Sequence, residues 1–150
     1  MAKKLGKDCK FYYADSLLTG EAGGEAADLS WNVVDNLRDL TLNLETGEAD
    51  VKTRGSDWEQ TKATFKNGSI DFEMLWETGD AAFDAIKDAW LNGDEIALAA
   101  MDADIDTSDS EGLVSNFSVT NFSRNEPLEE GVSVSVTVKP SSQTEWYEVA

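Results

Sequence analysis

The feature that most constrains the fold is a strict alternation of apolar and polar residues near the C-terminus. The alternating residues are Val132, Ser133, Val134, Ser135, Val136, Thr137, Val138 and Lys139. Because successive side chains of a β-strand point to opposite faces of a sheet, this pattern predicts a strand with one buried and one polar face. Pro140 is predicted to end that strand.

Further segments with the same period or with short apolar runs set the fold class. We predict strands at residues 11–13, 31–34, 40–44, 49–53, 70–76, 96–101 and 113–122, with a turn at Thr46–Gly47 between the third and fourth. A change of phase before Phe122 predicts a bulge near Asn121. The count is about seven strands, which predicts a mainly β protein: an antiparallel β-sandwich or barrel in a single domain, residues 1–150.

One segment has a helical period instead. Its apolar residues fall on one stripe of a helix: Ala82, Phe83, Ile86, Ala89 and Trp90. Asp80 stands near the N-terminal end, where a carboxylate is favourable, and Gly93 stands where a terminating glycine is expected. We therefore predict one flanking α-helix at about residues 80–92, packed over one face of the sheet.

The composition argues against catalysis and nucleic-acid binding. The chain has no histidine, one cysteine (Cys9), and 30 acidic against 12 basic residues, for a net charge of -18. The absence of histidine removes the usual general base and zinc ligand, and no nucleophile–base pair or glycine-rich phosphate loop is present. An acidic surface repels DNA. We expect no enzyme activity, no cofactor and no metal, and no apolar run is long enough to span a membrane.

A cluster of acidic residues keeps one alternative open. Asp102, Asp104 and Asp106 are spaced to share one strand face, with further carboxylates at Asp109 and Glu111. The spacing is similar to that of a calcium loop, but the EF-hand pattern has glycine and glutamate where this chain has Thr107 and Leu113. The plain interpretation is an acidic strand end, and the alternative function is an acidic calcium-dependent binding module.

A basic, aromatic segment interrupts the acidic chain. Residues 51–68 carry four basic and two acidic residues, and we predict a long loop at about 54–68. One interpretation is that its aromatic residues pack on their own sheet; the other is that the loop binds a neighbouring subunit, because a basic segment relieves repulsion between acidic copies. The candidate subunit-interface residues are Arg54, Trp58, Lys62, Phe65 and Lys66, followed by Trp146 and Tyr147 and the lysine-rich N-terminus.

Three segments are similar to a known family. Residues 121–141 (NFSRNEPLEEGVSVSVTVKPS), 49–59 (ADVKTRGSDWE) and 80–90 (DAAFDAIKDAW) resemble the major tail proteins, or tail tube proteins, of long-tailed bacteriophages. The resemblance implies a structural subunit that forms rings, expected to be hexameric, which stack into a negatively lined channel for DNA. The basic-free residues 88–123 suit such a lining. The related inner tube of type VI secretion is a second alternative.

The resemblance also implies partners and a location. The expected partners are further copies of the chain and other tail proteins such as the tape measure and the tail terminator. DNA would pass through without specific binding, and no membrane would be involved. The expected location is the virion tail, after synthesis in the host cytoplasm.

Overall fold

The computed structural model describes residues 6, 9–21, 25–55, 57–126, 128 and 131–149. Within them, seven strands and one helix follow in the order β1 (Lys10–Ala14), β2 (Trp31–Val33), β3 (Leu37–Val51), β4 (Gln60–Leu75), α1 (Ala81–Asn92), β5 (Glu95–Met101), β6 (Glu111–Asn125) and β7 (Ser133–Glu148). The predicted mainly β fold with one flanking helix is confirmed.

All seven strands belong to one antiparallel sheet with the order β2-β1-β5-β6-β7-β4-β3. The sheet curls over on itself, because the rings of Phe11 on β1 and Phe72 on β4 lie 4.9 Å apart although these strands are four places apart in that order. Its two edge strands, β2 and β3, are joined by residues 34–36. In the described part of the chain no ladder pairs them, so the result is sandwich-like and not a closed barrel.

Helix α1 covers one face of the sheet and completes the main core. Phe83 and Ile86 are fully buried there against β-strand side chains. The Asp80 carboxylate accepts a hydrogen bond from the Phe83 N–H at 3.0 Å, and Gly93 adopts a φ of 72° that ends the helix. Asp80 and Gly93 therefore stand at the two ends of the helix, as the sequence predicted.

The opposite face of β1, β5 and β6 carries a second, smaller core. The segment between β1 and β2 covers it, and so does the turn between β5 and β6. Asn116 on β6 holds the segment between β1 and β2 in place. Its side-chain amide accepts a hydrogen bond from the Leu18 N–H and donates one to the Leu18 carbonyl, both at 2.8 Å. Buried polar groups need such partners, so this amide fixes the covering segment.

The strand bounds correct the prediction for residues 40–68. β3 runs unbroken through Thr46–Gly47, where a turn was predicted, and β4 begins at Gln60, so much of the predicted loop at 54–68 is strand. Gly47 serves close packing instead, because a Cβ there would collide with the Thr64 hydroxyl. Every described residue from 48 to 67 is exposed, so burial does not divide this ribbon into an apolar and a polar side. Its second half, with four basic residues between 52 and 66, therefore predicted a loop where the structure has the start of β4.

The acidic cluster and the end of β7 also differ from prediction. β5 ends at Met101, so Asp102, Asp104 and Asp106 lie in a turn and not on one strand face. β7 continues past Pro140 to Glu148. The predicted irregularity near Asn121 is confirmed, because the β6–β7 register shifts between Val119 and Asn121.

Candidate functional site

A two-stranded arm, residues 45–67, extends beyond the body of the sheet. It consists of the end of β3, the start of β4 and their connection, and every described residue from 48 to 67 is exposed. A hairpin that packs against nothing is marginally stable in water. The arm is therefore a candidate interaction surface.

The arm brings together five of the predicted interface residues. Arg54 lies in its terminal turn, and Lys62, Phe65 and Lys66 lie on β4. Phe65 is 87% exposed and Trp58 is 81% exposed, so both rings are largely open to solvent. Two large aromatic side chains this exposed on one element are typical of an interaction surface.

The sheet divides next to the arm. The β4–β7 ladder pairs only Ile70–Leu75 with Ser133–Val138, and beyond it β7 pairs with β6 alone. Between Pro140 and Glu145, β7 takes five residue steps where β6 takes three, so it contains two extra residues, and Gln143 adopts a φ of 53°. Extra residues bend a strand, which turns the end of β7 away from β4.

The divergence opens a cleft of about 1180 Å³ between the base of the arm and the end of β7. Leu44, Leu113, Pro140 and Trp146 supply apolar lining, and Lys66 contributes from the arm. Of the two predicted C-terminal residues, the structure places only Trp146 here. Tyr147 is half-buried and packs against the second core.

A polar face covers the outer side of β3, β4, β7 and β6. Cross-strand register aligns one row as Thr41, Asp71, Thr137 and Asn121, and the next row as Asp39, Glu73, Ser135 and Ser123. The opposite sides of the same strands bury the main core. These eight residues have short or acidic side chains and include three carboxylates. Arg38, at the irregularity of β3 between Leu37 and Asp39, forms an ion pair with Glu73 at 3.5 Å, so the face is hydrophilic and its unpaired carboxylates among the two rows, within the described chain, are Asp39 and Asp71.

Asp71 is the centre of the polar face. It accepts from the Asn43 side-chain amide at 2.8 Å and from the Thr137 hydroxyl at 2.6 Å. These bonds order the small side chains across three strands. Sequence analysis did not find this face; the available signal was the polar half of each alternating strand.

The basic-free residues 88–123 do not form one surface. Residues 88–92 lie at the end of α1, residues 102–110 form the β5–β6 turn, and most of the others lie in β5 and β6. Within the turn, Asp102 accepts from the Glu111 N–H at 3.0 Å and Asp104 accepts from the Tyr12 hydroxyl at 2.8 Å. No group of three or more metal-ligating side chains occurs among the residues that the structure describes.

Burial affects two tyrosines of β1, of which Tyr12 contacts this turn and Tyr13 faces the main core. Burial raises the pKa of Tyr12 to about 12, and the nearby carboxylates of Asp104 and Asp106 act in the same direction. Burial also raises the pKa of Tyr13.

Within the described ranges, no helix is long and apolar enough to cross a membrane.

Comparison with known proteins gives one family and several structures. Residues 13–144 match the family described as phage tail tube protein. No curated protein sequence matches the chain significantly.

The subunit in the tail of an empty gene transfer agent particle, refined helically with C6 symmetry, is 13% identical, covers 97% of this chain and 99% of its own, and has a TM-score of 0.71. The SPP1 tail tube protein is 14% identical, covers 99% of this chain and 81% of its own, and has a TM-score of 0.71. A protein of the anti-feeding prophage baseplate is 9% identical, covers 99% of this chain and 98% of its own, and has a TM-score of 0.62. At these identities the similarity establishes a shared fold.

Proposed function

Because the chain belongs to the phage tail tube protein family, we propose that it assembles into hexameric rings that stack into a hollow tail tube. The chain is a structural subunit of such a tube and not an enzyme. The sixfold number is taken from the C6 symmetry of the gene transfer agent tail, whose subunit has the same fold. The whole chain, residues 1–150, acts as one domain in this assembly.

The observation that carries this proposal is the arm. It exposes Phe65 and Trp58 on a ribbon whose described residues contact little of their own subunit. Its aromatic and basic side chains suit an interface between acidic copies, because each copy carries a net charge of -18. Arg54, Trp58, Lys62, Phe65 and Lys66 are the proposed contact residues on the arm, and Trp146 is the proposed contact on the body.

We further propose that the polar face lines the channel and that DNA passes along it. Small side chains leave the bore smooth, and Asp39 and Asp71 repel phosphates. The two rows themselves contain no Lys or Arg, and the charge of the neighbouring Arg38 is offset by its ion pair with Glu73, so few contacts would retain DNA. Specific DNA binding is not expected on such a surface.

The proposed location is the tail of the virion, after synthesis in the host cytoplasm. Proposed partners besides further copies are other tail components, including a tape measure and a tail terminator at the tube end. The anti-feeding prophage baseplate protein shares the fold, so a type VI-like inner tube stays the alternative assembly. The match of the family to residues 13–144 favours the phage tube.

A substitution on the arm with a matched control tests the proposal. Phe65→Ser removes apolar area that assembly buries, which weakens each subunit contact by about 2 kcal/mol, or roughly 30-fold. Leu91→Ser is the control, because Leu91 is also exposed (62%) but lies on α1.

Concentrated protein is examined by negative-stain electron microscopy and sedimentation. We expect tubes from wild type and Leu91→Ser, few or none from Phe65→Ser, and equal melting temperatures for the three monomers. A wild-type protein that stays monomeric at high concentration, or a Phe65→Ser variant that forms normal tubes, contradicts the proposal.

A further inference from the structure

We propose that the cleft between β4 and β7 receives the arm of a second copy of this chain. The inference rests on the proposed function, since it names the acceptor for the arm. It also adds a direction to the assembly, because donor and acceptor are different surfaces of each subunit.

Both walls of the cleft are strand edges that face it without a ladder partner in the described chain. On β4 these are residues 60–69, and on β7 they are residues 139–148. Unpaired strand edges are templates for pairing with another chain. The outer edge of β3 in the arm is unpaired as well among the described residues, so a second copy supplies a strand of the required kind.

The apolar lining of the cleft matches the apolar side chains of the arm. Leu44 is 56% exposed and Trp146 is 48% exposed at the cleft, and the buried Leu113 of β6 is also part of its lining. The arm offers Phe65 and Trp58. A volume of about 1180 Å³ is large enough for several such side chains.

The charges of the two surfaces are also complementary. Glu45 and Glu145 line the cleft together with Lys66 and Lys139. At the end of the arm Lys52 pairs with Glu59 at 3.5 Å, and Arg54 and Asp57 add one further charge of each sign. A nucleic acid would leave the two glutamates of the cleft facing phosphates, whereas Arg54 of a second copy can pair with one of them and Asp57 with a lysine.

The arm cannot fill the cleft of its own subunit. The cleft adjoins the base of the arm, and the terminal turn lies about eight residues away along each strand, which is about 25 Å at 3.3 Å per residue. The contact therefore joins different copies. Because donor and acceptor differ, it is a head-to-tail contact, which continues from copy to copy instead of closing into a dimer.

Disulfide cross-linking tests this contact. The background is Cys9→Ser, and its tubes are first checked by electron microscopy. One chain carries Gly55→Cys at the end of the arm, where a Cβ meets open space, and a second chain with a size tag carries Glu145→Cys in the cleft. The control partner is Asp88→Cys on the exposed side of α1. Co-assembled tubes are oxidised with diamide and run on non-reducing gels.

We expect at least tenfold more cross-linked heterodimer for the 55–145 pair than for the 55–88 pair. Tubes that form without a 55–145 cross-link overturn the acceptor assignment and leave the tube function intact. A cross-link between the natural Cys9 and Glu145→Cys in otherwise wild-type chains shows that the N-terminal segment fills the cleft, which also overturns it. If the background protein forms no tubes, the proposed function fails together with the inference.

Discussion

At the scale of single residues, Tyr12 connects the acidic turn to the second core. Its hydroxyl donates to the Asp104 carboxylate at 2.8 Å and accepts from the Ile105 N–H at 3.1 Å, while its ring is buried. Burial is the main reason that its pKa is raised to about 12. The neutral hydroxyl is therefore the form that the folded state stabilises.

This gives a pH-dependent prediction. A raised pKa contributes stability that is full below the ordinary value of about 10 and is lost as the pH rises through about 12. Tyr12→Phe should lower the free energy of unfolding by about 1–2 kcal/mol at pH 7, because two hydrogen bonds are lost. Between pH 9 and 11 its stability should fall less steeply than that of the wild type.

Urea unfolding at pH 7, 9, 10 and 11 measures both effects. Some slope should persist in the variant, because the pKa of Tyr13 is also raised by burial. An unchanged slope in Tyr12→Phe would show that Tyr12 does not govern the alkaline loss of stability.

Asn116 gives a second prediction at this scale. Asn116→Ala leaves the buried N–H and carbonyl of Leu18 without their partner, which should cost about 2–3 kcal/mol. Hydrogen exchange should show the amide of Leu18 losing protection while the β6–β7 ladder keeps its own. Asn125→Ala, at an exposed position of the same strand, should change stability by less than about 0.5 kcal/mol. Equal effects of the two substitutions would contradict this role.

At the scale of elements, the sequence predicted α1 well and the arm poorly, for one physical reason. The helix buries one stripe of its residues, so its apolar residues recur with the helical period and the sequence shows where the helix is. Asp80 and Gly93 then mark its two ends. The described residues of the arm from 48 to 67 are exposed on both faces, so burial in the monomer does not mark which of them form a strand. Their basic and aromatic composition was the signal that the sequence offered, and we interpret it as the mark of a partner surface.

The cleft could not be predicted because it depends on where two strands separate. That separation follows from the two extra residues in β7 near Gln143, which are visible only in the register against β6. Pro140 was the one clue in the sequence, since proline cannot donate to a ladder. Sequence analysis took it as the end of the strand, whereas it stands at the bend beside Gly68.

The charge of the arm gives the prediction for this element. Arg54→Glu with Lys62→Glu should weaken assembly, because it places negative charge between acidic copies. The monomer should stay folded, since both side chains are exposed. Lys10→Glu with Lys87→Glu changes the net charge equally at positions outside the arm and outside the polar face and should affect tube formation less.

Sedimentation of each double variant at about 0.05 and 0.3 M salt measures the effect. The arm variant should recover partly at the higher salt, where surface charges are screened. Equal losses in both double variants would mean that net charge, and not the arm, controls assembly. A lower melting temperature of the arm variant would place these residues in their own subunit's fold.

At the scale of the whole molecule, the net charge of -18 affects stability and association together. Cations should raise the melting temperature by screening the carboxylates. We predict equal shifts from calcium and magnesium at equal millimolar concentration, because in the described chain no group of carboxylates forms a metal site. A calcium shift well above the magnesium shift would favour the alternative of a calcium-dependent module.

In the proposed tube, three surfaces of the subunit have three directions. The polar face would point to the channel and the arm would reach another copy, while α1 lies on the opposite side of the sheet from the polar face. Hydrophobic alternation predicted that β4 and β7 have one polar side. Whether that polar side faces the channel or the outside of the tube depends on the assembly, so the sequence of a single chain does not reveal it.

Helical reconstruction of tubes of the purified protein by electron cryomicroscopy tests the central claim most directly. We predict rings of six subunits around a hollow channel, with Asp71 and Thr137 facing the channel and the arm lying on a neighbouring copy. Solid filaments, or tubes in which Asp71 faces outward and the arm folds on its own body, would contradict it.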